Sequence, residues 1–136
     1  VSAPRREWRL SGEYSVAEGN AVGLLCGGGV RGLDTAVRNP CVRSAIVVVH
    51  GLSHLPILAD PSHGTGHRDM VTPMARAAVA AGADGLIVEV HPTPDRALSD
   101  GAQSLYPEQF ERMMRETRLI AEVIGRRIAE PAGARA

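Results

Sequence analysis

Short apolar runs alternating with helix-period segments constrain this chain more than any other feature of its sequence. The runs are residues 21–26, Leu55-Pro56-Ile57-Leu58-Ala59, and Gly85-Leu86-Ile87-Val88-Glu89-Val90. Each is too short for a helix, and the second and third stop at Asp60-Pro61-Ser62-His63-Gly64 and His91-Pro92, the punctuation of strands that run into loops. Between those two, Met70, Val71, Met74, Ala77, Ala78 and Ala81 recur at helical spacing over residues 69–81, with Gly82 placed to end the helix. After Pro107, the positions Phe110, Met113, Met114, Thr117, Ile120, Ala121 and Ile124 mark one face of a long amphipathic helix whose other face carries Glu and Arg. Strand and helix in alternation imply an α/β fold with a parallel sheet. One segment resists this reading: Ala45-Ile46-Val47-Val48-Val49 is so β-branched that local propensity favours a strand.

The 136 residues suffice for one domain with a real core. Residues 1–20 carry few signals and form an irregular segment, the organised part spans 21–129, and 130–136 is a small, polar tail that should fray. Fifteen basic residues, all arginine, balance fifteen acidic ones, so there is no global field to favour nucleic acid or an anionic membrane, and anion binding must be local. Trp8, Tyr14, Tyr106 and Phe110 are too few for base-stacking platforms. Cys26 and Cys41 make neither a disulfide framework nor a zinc spacing, which fits a reducing cytoplasm. No apolar run approaches the length that spans a bilayer or forms a signal peptide, so a soluble cytoplasmic protein is expected.

Three polar residues carry the candidate chemistry: His63 in Asp-Pro-Ser-His-Gly, Glu89 in Val-Glu-Val-His-Pro, and Asp100 in Ala-Leu-Ser-Asp-Gly. In a parallel barrel, residues that follow strands converge at one mouth, where ligands bind. An imidazole and two carboxylates there suit a divalent cation of the manganese, iron, cobalt or zinc kind, although residues of these types in loops also cap helices or pair locally.

The longer strings narrow the reading. The stretch from Ser53 to Asp69, containing Asp60-Pro61-Ser62-His63-Gly64-Thr65-Gly66, resembles a signature of the 3-deoxy-heptulosonate-7-phosphate (DAHP) synthase family. So do the stretch from Ala80 to Pro92, with Gly82-Ala83-Asp84-Gly85 and Val88-Glu89-Val90-His91-Pro92, and the string Ala97-Leu98-Ser99-Asp100-Gly101-Ala102-Gln103-Ser104-Leu105. Glu13-Tyr14 and Gly19-Asn20 also fall where the family has them, so the resemblance covers about residues 8–125. It implies the carboxy-terminal half of a (β/α)8 barrel, about four βα units, with a helix near residues 43–52 despite their propensity. It also implies a metal-dependent, aldol-type condensation of phosphoenolpyruvate with erythrose 4-phosphate at the entrance to aromatic biosynthesis, in which the metal polarises the aldehyde. Of the family's Cys, His, Glu and Asp ligands, three map onto His63, Glu89 and Asp100. The cysteine belongs to the half of the barrel that this chain does not match, and Cys26 is not its counterpart.

Arg31 and Arg38 fall at elements resembling the family's substrate-holding ones, with a solvated loop pair as the equal alternative for Arg38 and Asn39. His67 and Arg68, in the loop after His63, are further candidates to meet phosphate, with solvated surface positions as the simpler account. Ligand carboxylates and imidazoles need orienting hydrogen bonds, so His91 is read as supporting Glu89, and Asp60 as supporting His63 or simply capping the turn. Gln103 reads as structural, and His50 and His54, four apart, as one face of a helix without function. Two departures stand out. Where the family reads Leu-Cys-Glu-Arg-Gly-Ile-Arg, this chain reads Leu25-Cys26-Gly27-Gly28-Gly29-Val30-Arg31, so Gly28 replaces the arginine expected to grip phosphoenolpyruvate. Losing one charge-assisted contact to a buried anion costs about 2 to 5 kcal/mol. The second departure is length: four units leave strand edges and an apolar layer to be covered by a second copy or by a complementing amino-terminal half. Two further readings stay open: an inactive remnant or non-catalytic partner of a barrel synthase, and a synthase of the related kind that uses arabinose 5-phosphate.

Overall fold

The computed structural model describes residues 25–27 and 43–130, with side chains from residue 46 onward. Its elements run β1 (Leu25–Gly27), α1 (Arg43–Leu52), β2 (Ile57–Ala59), α2 (Pro61–Thr65), α3 (Arg68–Ala80), β3 (Gly85–Leu86), a 3-10 turn (Pro94–Arg96) and α4 (Pro107–Val123). The strands form one parallel sheet in the order β1-β2-β3, with Cys26 opposite Leu58 and Ala59 opposite Leu86. A parallel bridge from Val90 to Leu105 continues the succession and feeds α4. Four βα units therefore follow one another in the same sense, the third with only the 3-10 turn in place of a full helix.

The β-branched segment is helical. Parallel neighbours in register need a crossover between them, and α1 supplies it between β1 and β2. Within α1, Ile46 and Val49 are 5% and 0% exposed, whereas Val47 and Val48 are 61% and 42% exposed, so burial follows the helical period. Four β-branched residues cost a helix up to about 0.7 kcal/mol each relative to alanine. Burying a single Val or Ile contributes about 1.5–3 kcal/mol, so the two buried positions outweigh the propensity of all four.

The third apolar run pairs with β2 only over its first two residues. Its backbone then changes partner: Ile87 N–H still donates to Ala59 O at 2.9 Å, but Leu105 N–H donates to Glu89 O at 2.9 Å and His91 N–H to Leu105 O at 3.0 Å. The first run, residues 21–26, lies mostly outside the described residues. Helix α3 buries Val71, Ala75 and Ala78, and α4 buries Met113, Thr117 and Ala121, each along one stripe. Gly82 ends α3 as expected. Its φ of +95° lets Gly82 N–H reach Val79 O and Ala83 N–H reach Ala78 O, at 2.9 and 3.0 Å, satisfying carbonyls the helix leaves open.

Two packed clusters hold these elements together. Ile46, Val49, Leu55, Ile57, Ala59, Ala78 and Ala83 join α1 and α3 to the sheet. Val71, Ala75, Leu105 and Met113, with Phe110 and Met114 against them, join α3 to α4. The second cluster includes Leu105, the residue that follows the turn bearing Asp100 and Gln103 and bridges back to the third run.

Candidate metal centre

The site is assembled from three segments that each follow a strand. Asp60 ends β2 and caps α2: its Oδ1 accepts from His63 N–H at 2.9 Å, and its Oδ2 accepts from His63 Nδ1–H at 2.7 Å. The expected loop is thus one short helix, and a single buried carboxylate fixes both the backbone and the ring of His63. With Nδ1 donating to Asp60, Nε2 is the ring nitrogen directed at Glu89. Ser62, fully buried in the same turn, accepts from Glu89 N–H at 3.0 Å and so ties α2 to the third run.

Glu89 is held on its other side by Gln103, whose Nε2 donates to Glu89 Oε2 at 3.0 Å. Glu89 Oε1 then faces His63 Nε2 at 3.0 Å. Asp100 completes the group: ligand atoms of His63, Glu89 and Asp100 all lie within 4.8 Å of one another. Asp100 has φ of +56°, a left-handed conformation that costs most side chains about 1–2 kcal/mol but that aspartate tolerates better than most. Its carbonyl accepts from Gln103 N–H, Ser104 N–H and Ser104 Oγ–H, at 3.2, 3.1 and 3.0 Å, which closes the turn behind it.

This donor set fits a divalent cation. Imidazole nitrogen and carboxylate oxygens bind a zinc-class ion at about 2.0–2.2 Å, so donors that share one ion lie at most about 4 Å apart, and the trio needs only a small contraction. The lone pair on His63 Nε2 and the lone pairs on Glu89 Oε1 repel at 3.0 Å unless a proton or a metal ion lies between them. The carboxylate behind the histidine and the amide behind the glutamate are the supports that metal ligands require. Manganese, iron, cobalt and zinc all accept such a mixed N/O set.

The other expected residues are distributed differently. His91 Nδ1 accepts from Thr93 N–H at 2.9 Å, within its own loop, and the hydrogen bond onto Glu89 comes from Gln103 instead. Gln103 thus supports a candidate site residue beyond the structural part its sequence position suggests; the signal for it is its place three residues after Asp100, on the turn that returns to the sheet. His67 is exposed at the start of α3. Arg68 turns inward: its Nε donates to Ser104 O at 2.7 Å, and its Nη2 donates to Gly101 O at 2.8 Å and Asp95 Oδ1 at 3.2 Å. Tyr106 hydroxyl and Arg68 together hold the Asp95 carboxyl below its usual range, and the same carboxylate raises the Tyr106 phenol. His50 and His54 do not share a helix face, because α1 ends at Leu52 and His54 lies beyond it, exposed. Arg31, Arg38 and Gly28 lie outside the described residues, as does the side chain of Cys26. No described helix is long and apolar enough to cross a membrane.

A parallel βα wall with a His/Glu/Asp cluster after its strands defines a barrel protein with a candidate metal centre at its carboxy-terminal rim. The family model described as "DAHP synthetase I family" matches residues 2–123, and the chain belongs to that family. It is 49% identical over 119 residues to the phospho-2-dehydro-3-deoxyheptonate aldolase of Thermotoga maritima, a match covering 88% of this chain and 35% of that relative. The crystal structure of the Thermotoga maritima phospho-2-dehydro-3-deoxyheptonate aldolase (DAHP synthase) superposes with a TM-score of 0.90 at 46% identity, covering 93% of this chain and 37% of that one. The fold is accordingly part of a (β/α)8 barrel. The 2-dehydro-3-deoxyphosphooctonate aldolase of Syntrophotalea carbinolica is 49% identical over 70 residues, 52% of this chain and 25% of that relative. The chain spans about a third of the length of the Thermotoga relative.

Proposed function

We propose that this chain provides the metal-holding side of a DAHP synthase-type active site, serving the condensation of phosphoenolpyruvate with erythrose 4-phosphate. The observation that carries the reading is the 3.0 Å approach of His63 Nε2 to Glu89 Oε1, each fixed from behind by Asp60 and Gln103, with Asp100 in the same cluster. A divalent cation held there would supply Lewis-acid polarisation of the aldehyde carbonyl. His63 would offer Nε2 while Asp60 keeps the proton on Nδ1. Glu89 would offer Oε1 while Gln103 holds Oε2. Asp100 would offer its carboxylate from the loop after the third run, and the family's cysteine ligand would come from a complementing half of the barrel.

Arg31, Arg38 and His67 are the remaining candidates for substrate phosphates. Gly28 weakens the grip on phosphoenolpyruvate, and Arg31 would offset part of that loss. The Syntrophotalea relative supports a second reading, in which arabinose 5-phosphate is the aldehyde. Both are tested by following the loss of phosphoenolpyruvate absorbance with manganese present and either aldose phosphate supplied. Turnover with erythrose 4-phosphate that disappears in His63→Ala supports the first reading. Turnover with arabinose 5-phosphate alone selects the second. A folded sample that binds manganese and turns over neither sugar leaves a half-site whose catalysis needs a partner.

A further inference from the structure

Resting on the metal-centre reading above, we propose that Arg68 is a positioning residue for that centre: it fixes the turn of residues 100–104, from which Asp100 and, through Gln103, Glu89 are aimed. The turn hangs on Arg68 at three carbonyls. Arg68 N–H donates to Ala102 O at 2.9 Å, Nη2 to Gly101 O at 2.8 Å, and Nε to Ser104 O at 2.7 Å. No other described residue outside residues 94–106 bonds this turn so often, and Arg68 sits at the start of α3, whose stripe is packed into the sheet.

The far side of the guanidinium is fixed as well. Its carbon lies 4.7 Å from the centroid of the Tyr106 ring, and Asp95 bridges Arg68 Nη2 and the Tyr106 hydroxyl at 3.2 and 2.8 Å. Gly101 packs so closely that a Cβ there would strike the carbonyl of Pro94, so the turn is closely packed on the 3-10 turn at that point. Two side chains leave this turn for the metal centre. Asp100 contributes a ligand directly, and Gln103, only 2% exposed, donates to Glu89. A rotation of the turn therefore moves one ligand and releases a second. Arginine's planar fork is what reaches two carbonyls at once; an ammonium is a single point donor. With Nε and Nη2 bonded to the loop, the guanidinium acts on the chemistry through Asp100 and Glu89.

The test is manganese affinity by calorimetry, with cobalt absorption as a reporter of ligand geometry, both in the absence of substrate. Arg68→Ala should weaken manganese binding about 10- to 100-fold, the usual loss for a group supporting metal ligands, and change the cobalt spectrum. A residue that only met substrate phosphate would leave both unchanged, and that result overturns the proposal. In an Asp100→Ala, Gln103→Ala background the further effect of Arg68→Ala should fall below about threefold, because the two routes from the turn are already cut. A full additional loss there would reveal a general structural role and also overturn it. Should Arg68→Ala fail to fold, Arg68→Lys is read in the same assay: a several-fold loss supports the proposal and unchanged affinity sinks it. Failure of the underlying reading would look different, since His63→Ala would then leave manganese affinity untouched.

Discussion

The two ends of the sheet carry similar residue types put to opposite uses. At the amino-terminal end, Asp84 precedes β3, and its Oδ2 accepts from Ile57 N–H at 2.8 Å while Oδ1 accepts from Arg126 Nη1 at 2.9 Å. His50 Nε2–H donates to Gly82 O at 2.9 Å, and Arg126 also reaches the carbonyls of Gly82 and Ala83. Here a histidine, a carboxylate and an arginine close on the backbone of neighbouring elements. At the carboxy-terminal end, the histidine and carboxylates are held from behind and turned towards one another, with the side chain of His63 46% exposed. Groups that close on backbone stabilise; side chains of this kind that converge on one another in a partly open site after parallel strands mark a candidate ligand site.

The comparison breaks most sharply at His63. His63→Ala should weaken manganese binding by more than the roughly 10- to 100-fold that an outer support is worth, with the thermal midpoint of the metal-free protein nearly unchanged. A large drop in that midpoint would mean that the rim is structural after all. Asp60→Asn should lose about 10- to 100-fold in manganese affinity, because Nδ1 loses its charged acceptor. Asp84→Ala, at the other end, should lower unfolding free energy by about 1–3 kcal/mol in urea, by stranding Ile57 N–H and leaving Arg126 only its carbonyl acceptors, while manganese affinity holds. An equal loss of metal binding there would show that the two ends are coupled.

The smallest expected effect concerns the Asp95–Tyr106 pair. The folded Asp95 carboxyl is lowered, so its contribution is present above the ordinary carboxylate pKa and is lost as pH falls through the lowered folded value. The folded Tyr106 phenol is raised, so its contribution is present below the ordinary phenol pKa and is lost as pH rises through the raised folded value. Tyr106→Phe should flatten the alkaline limb of a stability-against-pH curve and soften the acid one. Both groups are solvent-facing, so the change should be slight and should shrink further in salt.

Much of this was legible in the chain itself. Helices α3 and α4 follow from the spacing of Met70, Val71, Met74, Phe110, Met113 and Thr117, and the end of α3 from Gly82, because amphipathic period and a left-handed cap are local properties. The strings around His63, Glu89 and Asp100 carry the family resemblance, and the trio does come together. Propensity misreads residues 45–49, where a crossover between parallel strands and the burial of Ile46 and Val49 overrule β-branching. The apolar run of residues 85–90 suggests one strand through Val90, whereas it changes partner after Leu86, since Leu105 arrives from elsewhere in the chain to take its later hydrogen bonds.

The sequence by itself thus determined where α3 and α4 lie and the identity of the three polar residues that follow the strands. Only the tertiary structure decided that His63 Nε2 meets Glu89 Oε1, that Gln103 rather than His91 supports the glutamate, and that Arg68 turns inward onto the loop bearing Asp100. The physical reason is range. Period and capping are set by neighbours within a turn or two, but the bonds from Gln103 to Glu89 and from Arg68 to Ser104 join residues 14 and 36 positions apart. Such bonds exist only once α3, α4 and the sheet have packed and fixed where each side chain can reach.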